Sequence, residues 1–488
     1  MFANKICILG AGTSGLTTAL ILKTSNPALD ISIVKSAEIE IVGVGEGSTE
    51  HWTSFMNYVG ITPVDIIKNT GATFKYGIKF NNWNGDNKDY FHSVVSNFNV
   101  EDFFGYLYVY HKLINDYPTL YETGVAEHVP NSLHYAPYEF SAAQFHFDTF
   151  KLNEYLQAQC LEKGINILTD TINDVILDDN GIKEIVGNEQ TYNADLFIDC
   201  SGWRRALISK LGATYNSMQE YLPMNTAFTF ATKHNPDLEL PSYTSATALS
   251  SGWAFQIPTQ DRFGNGYIYC DKFIDEESAV KEIEELYGQK ITVGRRFKFD
   301  AGYLENVWIK NCVAIGLSAS FIEPLEATSI GAGLQQAFAL SGFIKCWSDS
   351  TPEISDTYNE FFRDVFQNIV DFVQLHYVTK REDSDFWKYC KTLKLTDFNK
   401  KTLPMFKKNL PVGPQFVKPW ALFRHSNWLH VLHGLEIFDL EEIKRRWEYM
   451  PTEMRMDATV KLHIQKMNAA NHTPVGHREA LKNILERP

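Results

Sequence analysis

The sequence predicts an α/β protein, a Rossmann-like domain extended by a β-sheet region and followed by a helical C-terminal region. Three observations carry this. The apolar run KICIL meets the turn GAGTSG and then LTTALILK, whose apolar positions continue around a helix. Further on, short apolar runs stop at small-residue turns, as in DLFIDCSGW and NCVAIGLSAS. Beyond Ser350, helical stretches rich in Trp, Phe, Lys and Glu dominate.

Composition narrows the function classes. A chain of 488 residues, 44% of them hydrophobic, can bury one large cofactor-binding domain and a substantial second region. Its net charge of −14, with both signs interleaved, lacks the footprint of a nucleic-acid binder. Seven cysteines (Cys7, Cys160, Cys200, Cys270, Cys312, Cys346, Cys390) are scattered, without CxxC spacing or a nearby histidine pair. No metal is therefore expected, and most of them read as small core residues in a reducing compartment. No apolar stretch has the form of a leader or the length of a bilayer span, so no membrane contact and a cytoplasmic location are expected.

Taken in order, Lys5 to Leu9 forms the first strand. Gly10 permits the tight turn, Gly12 lets backbone approach a pyrophosphate, and Gly15 lets the helix pack on the strand; Thr13 and Ser14 open that helix, whose N-terminus faces the phosphates. The second strand, DISIVK, ends on Lys35, where such folds normally place an acid for the ribose. Either adenosine is held by another contact, or the site keeps only a weak hold on a cofactor that arrives from elsewhere, or the lysine is solvated and idle. Next, IVGVGEGSTEHW sets Gly43, Val44, Gly45 and Glu46 in a loop dense enough in glycine for its amides to cradle a ring edge or an anion, a plain mobile loop being the competing reading.

An aromatic-rich insertion spans about residues 50–145, with Trp52, Trp83 and the stretch from Phe91 to Tyr110 as candidate stacking surfaces, although most aromatics at such density are core. FDTFKLNEYLQAQCLEKG reads as a helix ending at Gly164, followed by the strand INIL and a hairpin around DDNG. The strand Leu196 to Ile198 closes on Asp199, for which cofactor contact and turn capping stand equally open. Alternating strands from Phe228, including GWAFQIPTQDRFGNGYIYC, make a sheet region at about 220–300. NCVAIGLSASFIEPLEATSIGAG then gives a strand, a turn containing Pro324, and a long helix beginning near Glu326. The expected division is a core of 1–345 and a helical, substrate-covering region of 346–488.

In this order GAGTSG, GVGEGS, YGIKF, DLFIDCSGW, GWAFQIP and NCVAIGLSASFIEPLEATS resemble the flavin-dependent halogenases of the tryptophan-halogenase type, over residues 1 to about 345. The resemblance implies an FAD-binding Rossmann-like domain of the glutathione-reductase type, its cofactor set completed by Gly316 and Ile330. Reduced FAD would come from a separate flavin reductase; oxygen and a halide (chloride, bromide or iodide) would give hypohalous acid, which travels through a tunnel to the substrate. In this resemblance Lys79 of YGIKF polarises the hypohalous acid or forms a haloamine. Glu326 stabilises the positive charge on the attacked ring and accepts its proton, Glu323 being the nearby competitor. Backbone amides around Thr328 and Ser329 suit halide.

Trp253, Phe255, Ile257 and Pro258 correspond to a motif that keeps substrate away from the flavin, with Phe255 where the family has a second tryptophan. Ala327 and Ser329 also depart from residues frequent in enzymes acting on free tryptophan. The expected substrate is thus a small electron-rich arene, an indole, pyrrole or phenol, and a homodimer is compatible with the sequence. The alternatives are an FAD-dependent aromatic monooxygenase, which needs neither Lys79 nor Glu326, and a flavoprotein that only binds its ligand.

Overall fold

β1 (Lys5–Leu9) buries its last four residues, as an apolar run between helices must. The computed structural model describes residues 3–39, 41, 43, 45–93, 128–130, 144–348, 351, 353–409, 411, 421–457, 459–460 and 474–486. Val44 and nearly all of the aromatic stretch from Phe91 to Tyr110 lie outside the described residues. β1 sits inside a six-stranded sheet in the order Trp308–Ile309, Cys312–Ala314, Leu196–Asp199, β1, β2 (Asp30–Lys35), Asn166–Thr169. All neighbours are parallel except the first pair. Parallel strands need crossovers, and α1 (Thr13–Ser25) joins β1 to β2, burying Gly15 to Leu22 without a break. α2 (Thr328–Phe343) is likewise buried along most of its length.

Two compact units share the chain: Met1–Gly71, Phe147–Gln219 and Phe299–Ile369 form one, and Ala72–His146, Glu220–Lys298 and Val370–Pro488 the other. This differs from the expected boundary at residue 345. The insertion and the sheet region cluster with the helical C-terminal residues rather than with the Rossmann-like strands, because their strands pair across long sequence separations.

The second unit contains β3 (Thr73–Lys75), β4 (Gly77–Asn81), all but the last residue of β5 (Gln144–Phe147), β6 (Tyr243–Ala248), β7 (Gly252–Pro258) and β8 (Arg262–Tyr269). Its seven-stranded sheet runs Arg296–Lys298, Thr226–Lys233, β8, β7, β6, β4, Asp89–Ser93. Only the β6–β4 pair is parallel. Strand alternation sends Trp253, Phe255 and Ile257 to one face and Ala254 and Gln256 to the other. On the latter face the helix Glu276–Tyr287 packs Ala279 and Ile283 with Phe228, Phe230, Ala254, Tyr267 and Tyr269. Buried Arg381 ties the helical residues to this sheet, donating to the carbonyls of Asn82 at 2.9 Å and Ala248 at 3.3 Å.

Among the described residues no helix is long and apolar enough to cross a membrane, and no group of three or more His, Cys, Asp or Glu residues is placed to hold a metal. Five of the seven cysteines are buried, Cys200 is intermediate and Cys346 exposed.

Candidate active site

The turn after β1 owes its glycines to different neighbours. Gly10 has φ +113°, and a Cβ there would lie 2.3 Å from the Cys200 carbonyl oxygen; on Gly15 it would lie 2.0 Å from that of Gly10. Gly12 is different: among the described residues, beyond its chain neighbours and its own helix, no atom lies within 4 Å of where its Cβ would be. Gly12 is also the N-cap of α1, with ordinary φ of −74° and no side-chain cap. The first amides of α1, at Thr13 and Ser14, stand at the positive end of the helix dipole, an arrangement that fits a pyrophosphate. Gly316, at φ +68°, belongs to the same place: a Cβ there would meet Ser14 Oγ at 2.1 Å.

Gly43 packs on Thr149, whose side chain would be 2.4 Å from an added Cβ. Glu46, half-buried as a whole residue, has its carboxyl raised to about 7 by burial. Lys35, at the end of β2, donates to Gln157 Oε1 at 2.6 Å, so its ammonium braces the helix Thr149–Glu162.

Asp199 sits in a turn-capping geometry. Its buried carboxylate accepts from the Ser201 amide (2.9 Å) and hydroxyl (2.6 Å), Ser318 Oγ (3.1 Å), and the amides of Leu207 (2.8 Å) and Ile208 (2.9 Å). Five donors saturate the lone pairs of one carboxylate, which leaves none for a cofactor. The turn-capping alternative is the one its geometry satisfies.

The two glutamates of FIEPLEATS are both buried, Glu323 at 0% and Glu326 at 1% exposure, so burial does not separate them. Glu326 ends the 3₁₀ turn Pro324–Glu326, and Ala327 then adopts the left-handed region at φ +55° to serve as N-cap of α2 without any side-chain cap. Thr328 is buried and Ser329 exposed in the first turn; Ile330 beside them is 9% exposed. The first turn of α2 thus starts at the positive end of a helix dipole with no side-chain acceptor from its N-cap residue.

The lysines of ATFKYGIKF fall in contrasting environments. Lys79 is about one-third exposed, ion-pairs with Asp89 at 3.0 Å, and lies 5.9 Å above the Tyr243 ring. Its register opposite Ser245, itself opposite Gln256, puts it on the sheet face away from Trp253, Phe255 and Ile257. Lys75, four residues earlier, is 0% exposed. Lysine is almost never buried to this degree without a partner or a task, and the reading of the sequence passed over it. Its signal was the alternation Thr73, Phe74, Lys75 in a short strand: Thr73 and Lys75 share a face with His146 and Gln144 of β5, opposite them in register, and all four are buried.

A sequence profile of the tryptophan halogenase family matches residues 5–446. The chain belongs to the tryptophan halogenase family. The halogenase is 29% identical over 454 residues to tryptophan 7-halogenase RebH of Lentzea aerocolonigenes, covering 84% of this chain and 83% of that one. It is 24% identical over 481 residues to the uncharacterized protein y4xG of Sinorhizobium fredii, covering 93% and 94%. Among solved structures it resembles the tryptophan halogenase of Shewanella frigidimarina, with a TM-score of 0.90 at 24% identity over 99% of this chain and 98% of that one. It also resembles Xcc4156, a flavin-dependent halogenase of Xanthomonas campestris, with a TM-score of 0.81 at 26% identity over 100% and 99%. By family it is a flavin-dependent oxidoreductase that halogenates aromatic compounds, using FAD and halide.

In the halogenase, Trp253 and Ile257 are buried, at 1% and 7% exposure, Pro258 is buried and Phe255 half-buried. Phe255 packs against Gly266, where a Cβ would come within 2.4 Å of its ring, and lies 6.2 Å from the Trp253 ring. The missing second tryptophan is thus replaced by a ring with its own glycine seat. Trp52 and Trp83 are core rather than stacking surface. Trp52 packs on Phe55 and Phe147 at 5.0 and 4.7 Å, and Trp83 donates to the His376 carbonyl at 2.6 Å.

Proposed function

We propose that the halogenase takes reduced FAD from a separate flavin reductase and, with oxygen and chloride, bromide or iodide, halogenates an indole, pyrrole or phenol by electrophilic substitution. The observation that carries this is the buried Glu326 carboxylate immediately before the uncapped first turn of α2, within the family motif. A flavin at the Gly10–Gly15 turn supplies the oxidation of halide to hypohalous acid. Amides at Thr328 and Ser329 hold the halide with the aid of the helix dipole.

A lysine ammonium donates a hydrogen bond to the oxygen of the hypohalous acid. As the arene forms its bond to halogen, the halogen–oxygen bond breaks and the lysine proton leaves with the oxygen as water. Glu326 stabilises the ring cation and takes the ring proton, restoring aromaticity. Lys79 is the lysine expected from YGIKF; complete burial favours Lys75, because an ammonium out of water acts more strongly on a developing charge. Ala327 and Ser329 favour an arene other than free tryptophan.

The test supplies the enzyme with FAD, a generic flavin reductase and bromide over a panel of indoles, pyrroles and phenols, with products read by mass. Bromide-dependent products carrying halogen support the proposal. Products that gain oxygen and no halogen across the panel would replace it with aromatic monooxygenation.

A further inference from the structure

Lys75 has a neighbour to which the halogenation chemistry assigns no role. His146 is 0% exposed, and both of its ring nitrogens are engaged: Nδ1 lies 3.3 Å from Thr73 Oγ1 and Nε2 lies 2.9 Å from Thr244 Oγ1. The direction of the chain follows from its far end. Thr73 donates its hydroxyl proton to the Pro258 carbonyl at 2.6 Å, so toward His146 its oxygen accepts and Nδ1 carries the proton. Nε2 then accepts from the Thr244 hydroxyl. One run of hydrogen bonds thus passes from β6 through β5 and β3 to the last residue of β7, the end of the substrate-shielding motif.

His146 is opposite Thr73 and diagonal to Lys75 on the shared face, a separation that a lysine side chain spans. The titratable groups that bear on it are Lys75 and His477; burial first, then the charge of Lys75, then that of His477, holds His146 well below the ordinary histidine range. His477 is itself committed, with Nε2 accepting from the Phe74 amide at 3.0 Å and Nδ1 3.1 Å from the Leu240 carbonyl, and burial lowers it to about 4. The imidazole beside the lysine is therefore neutral and has no free lone pair.

We infer that His146 is the positioning residue of Lys75: its two hydrogen bonds tie β5 to β3 and to β6, and its ring offers the lysine no base. Lys75 then keeps its proton for the hypohalous acid instead of sharing it with the imidazole. This rests on the reading of Lys75 as the lysine that meets the oxidant.

The test compares His146→Asn, Thr244→Val and Lys75→Met in the full chain, supplied with FAD, reductase, bromide, an arene accepted by the wild type, and a soluble 1,3-diketone that scavenges escaped hypohalous acid. For His146→Asn and Thr244→Val the expected result is unchanged flavin affinity and arene KM. Their kcat falls by roughly tenfold or more, as for a small misplacement of a reacting group, and halogen passes from arene to scavenger. A merely structural role would lower the active fraction without moving that partition. Wild-type kcat and partition in Thr244→Val, which keeps the side-chain shape should His146→Asn fail to fold, overturn the inference while an inactive Lys75→Met leaves the lysine reading standing. Full activity of Lys75→Met sinks the lysine reading itself.

Discussion

Replacing each lysine of ATFKYGIKF by methionine separates two roles that the sequence presents as one. Methionine keeps a long apolar stem and removes only the charge, so packing is disturbed little. Lys79 loses a solvent-screened pair with Asp89 at 3.0 Å, worth about 0–1 kcal/mol, and Lys79→Met is expected to leave kcat within a factor of about three, less than the tenfold that 1.4 kcal/mol represents. Lys75 is removed from a site with no exposure. A positioned proton donor is worth about 10²–10⁴ in rate, which is about 3–5 kcal/mol of transition-state stabilisation. Single-turnover halogenation with pre-reduced FAD measures both without interference from flavin delivery. If Lys79→Met abolishes product formation while Lys75→Met reacts at the wild-type rate, the argument from burial is refuted and the lysine first expected is restored.

Other outcomes follow from the same geometry. Gly12→Ala meets open space on the protein side and should leave thermal stability unchanged while weakening FAD binding by about tenfold or more, about 1.4 kcal/mol; equilibrium flavin titration decides, and unaltered affinity would remove the pyrophosphate from that turn. Asp199→Asn places an amide among five donors and should cost about 3 kcal/mol in urea unfolding, whereas a loss of FAD affinity at unchanged stability would return Asp199 to the cofactor. Glu46 titrates near 7 in the folded chain against 4.5 as its ordinary value, so the folded state binds the extra proton in between. Stability should accordingly fall as pH rises from about 4.5 to 7 and level off above. Glu46→Gln should flatten that window of the urea-unfolding profile, and a slope that survives the substitution belongs to another group.

Legibility in the sequence tracked locality. The strand, turn and helix around GAGTSG are contiguous, and β1, α1 and β2 appear where periodicity and turn chemistry put them. The helix ending at Gly164, the DDNG hairpin and the β7–β8 pair were legible for the same reason. Burial was not. Lys75 and Lys79 are alike as letters, and only the pairing of β3 with β5, about 70 residues away, hides one of them. Asp199 was ambiguous because two of its donors, Leu207 and Ile208, lie eight and nine residues downstream and Ser318 lies 119 away. The seat of Phe255 depends on Gly266 across a hairpin. The division into two units eluded a linear reading because each unit collects three separate segments.

That interleaving bears on how the protein is made. Ribosomal synthesis delivers all three segments of the first unit once Ile369 has emerged, so a nascent chain can complete its nucleotide-binding half early. The strand carrying Lys75 waits much longer, since the Phe74 amide is held by His477, 403 residues downstream, and such distant closures come late. During translation the first unit is thus complete before the lysine is pinned in place, and a polypeptide cut short between the two would own the first without the second.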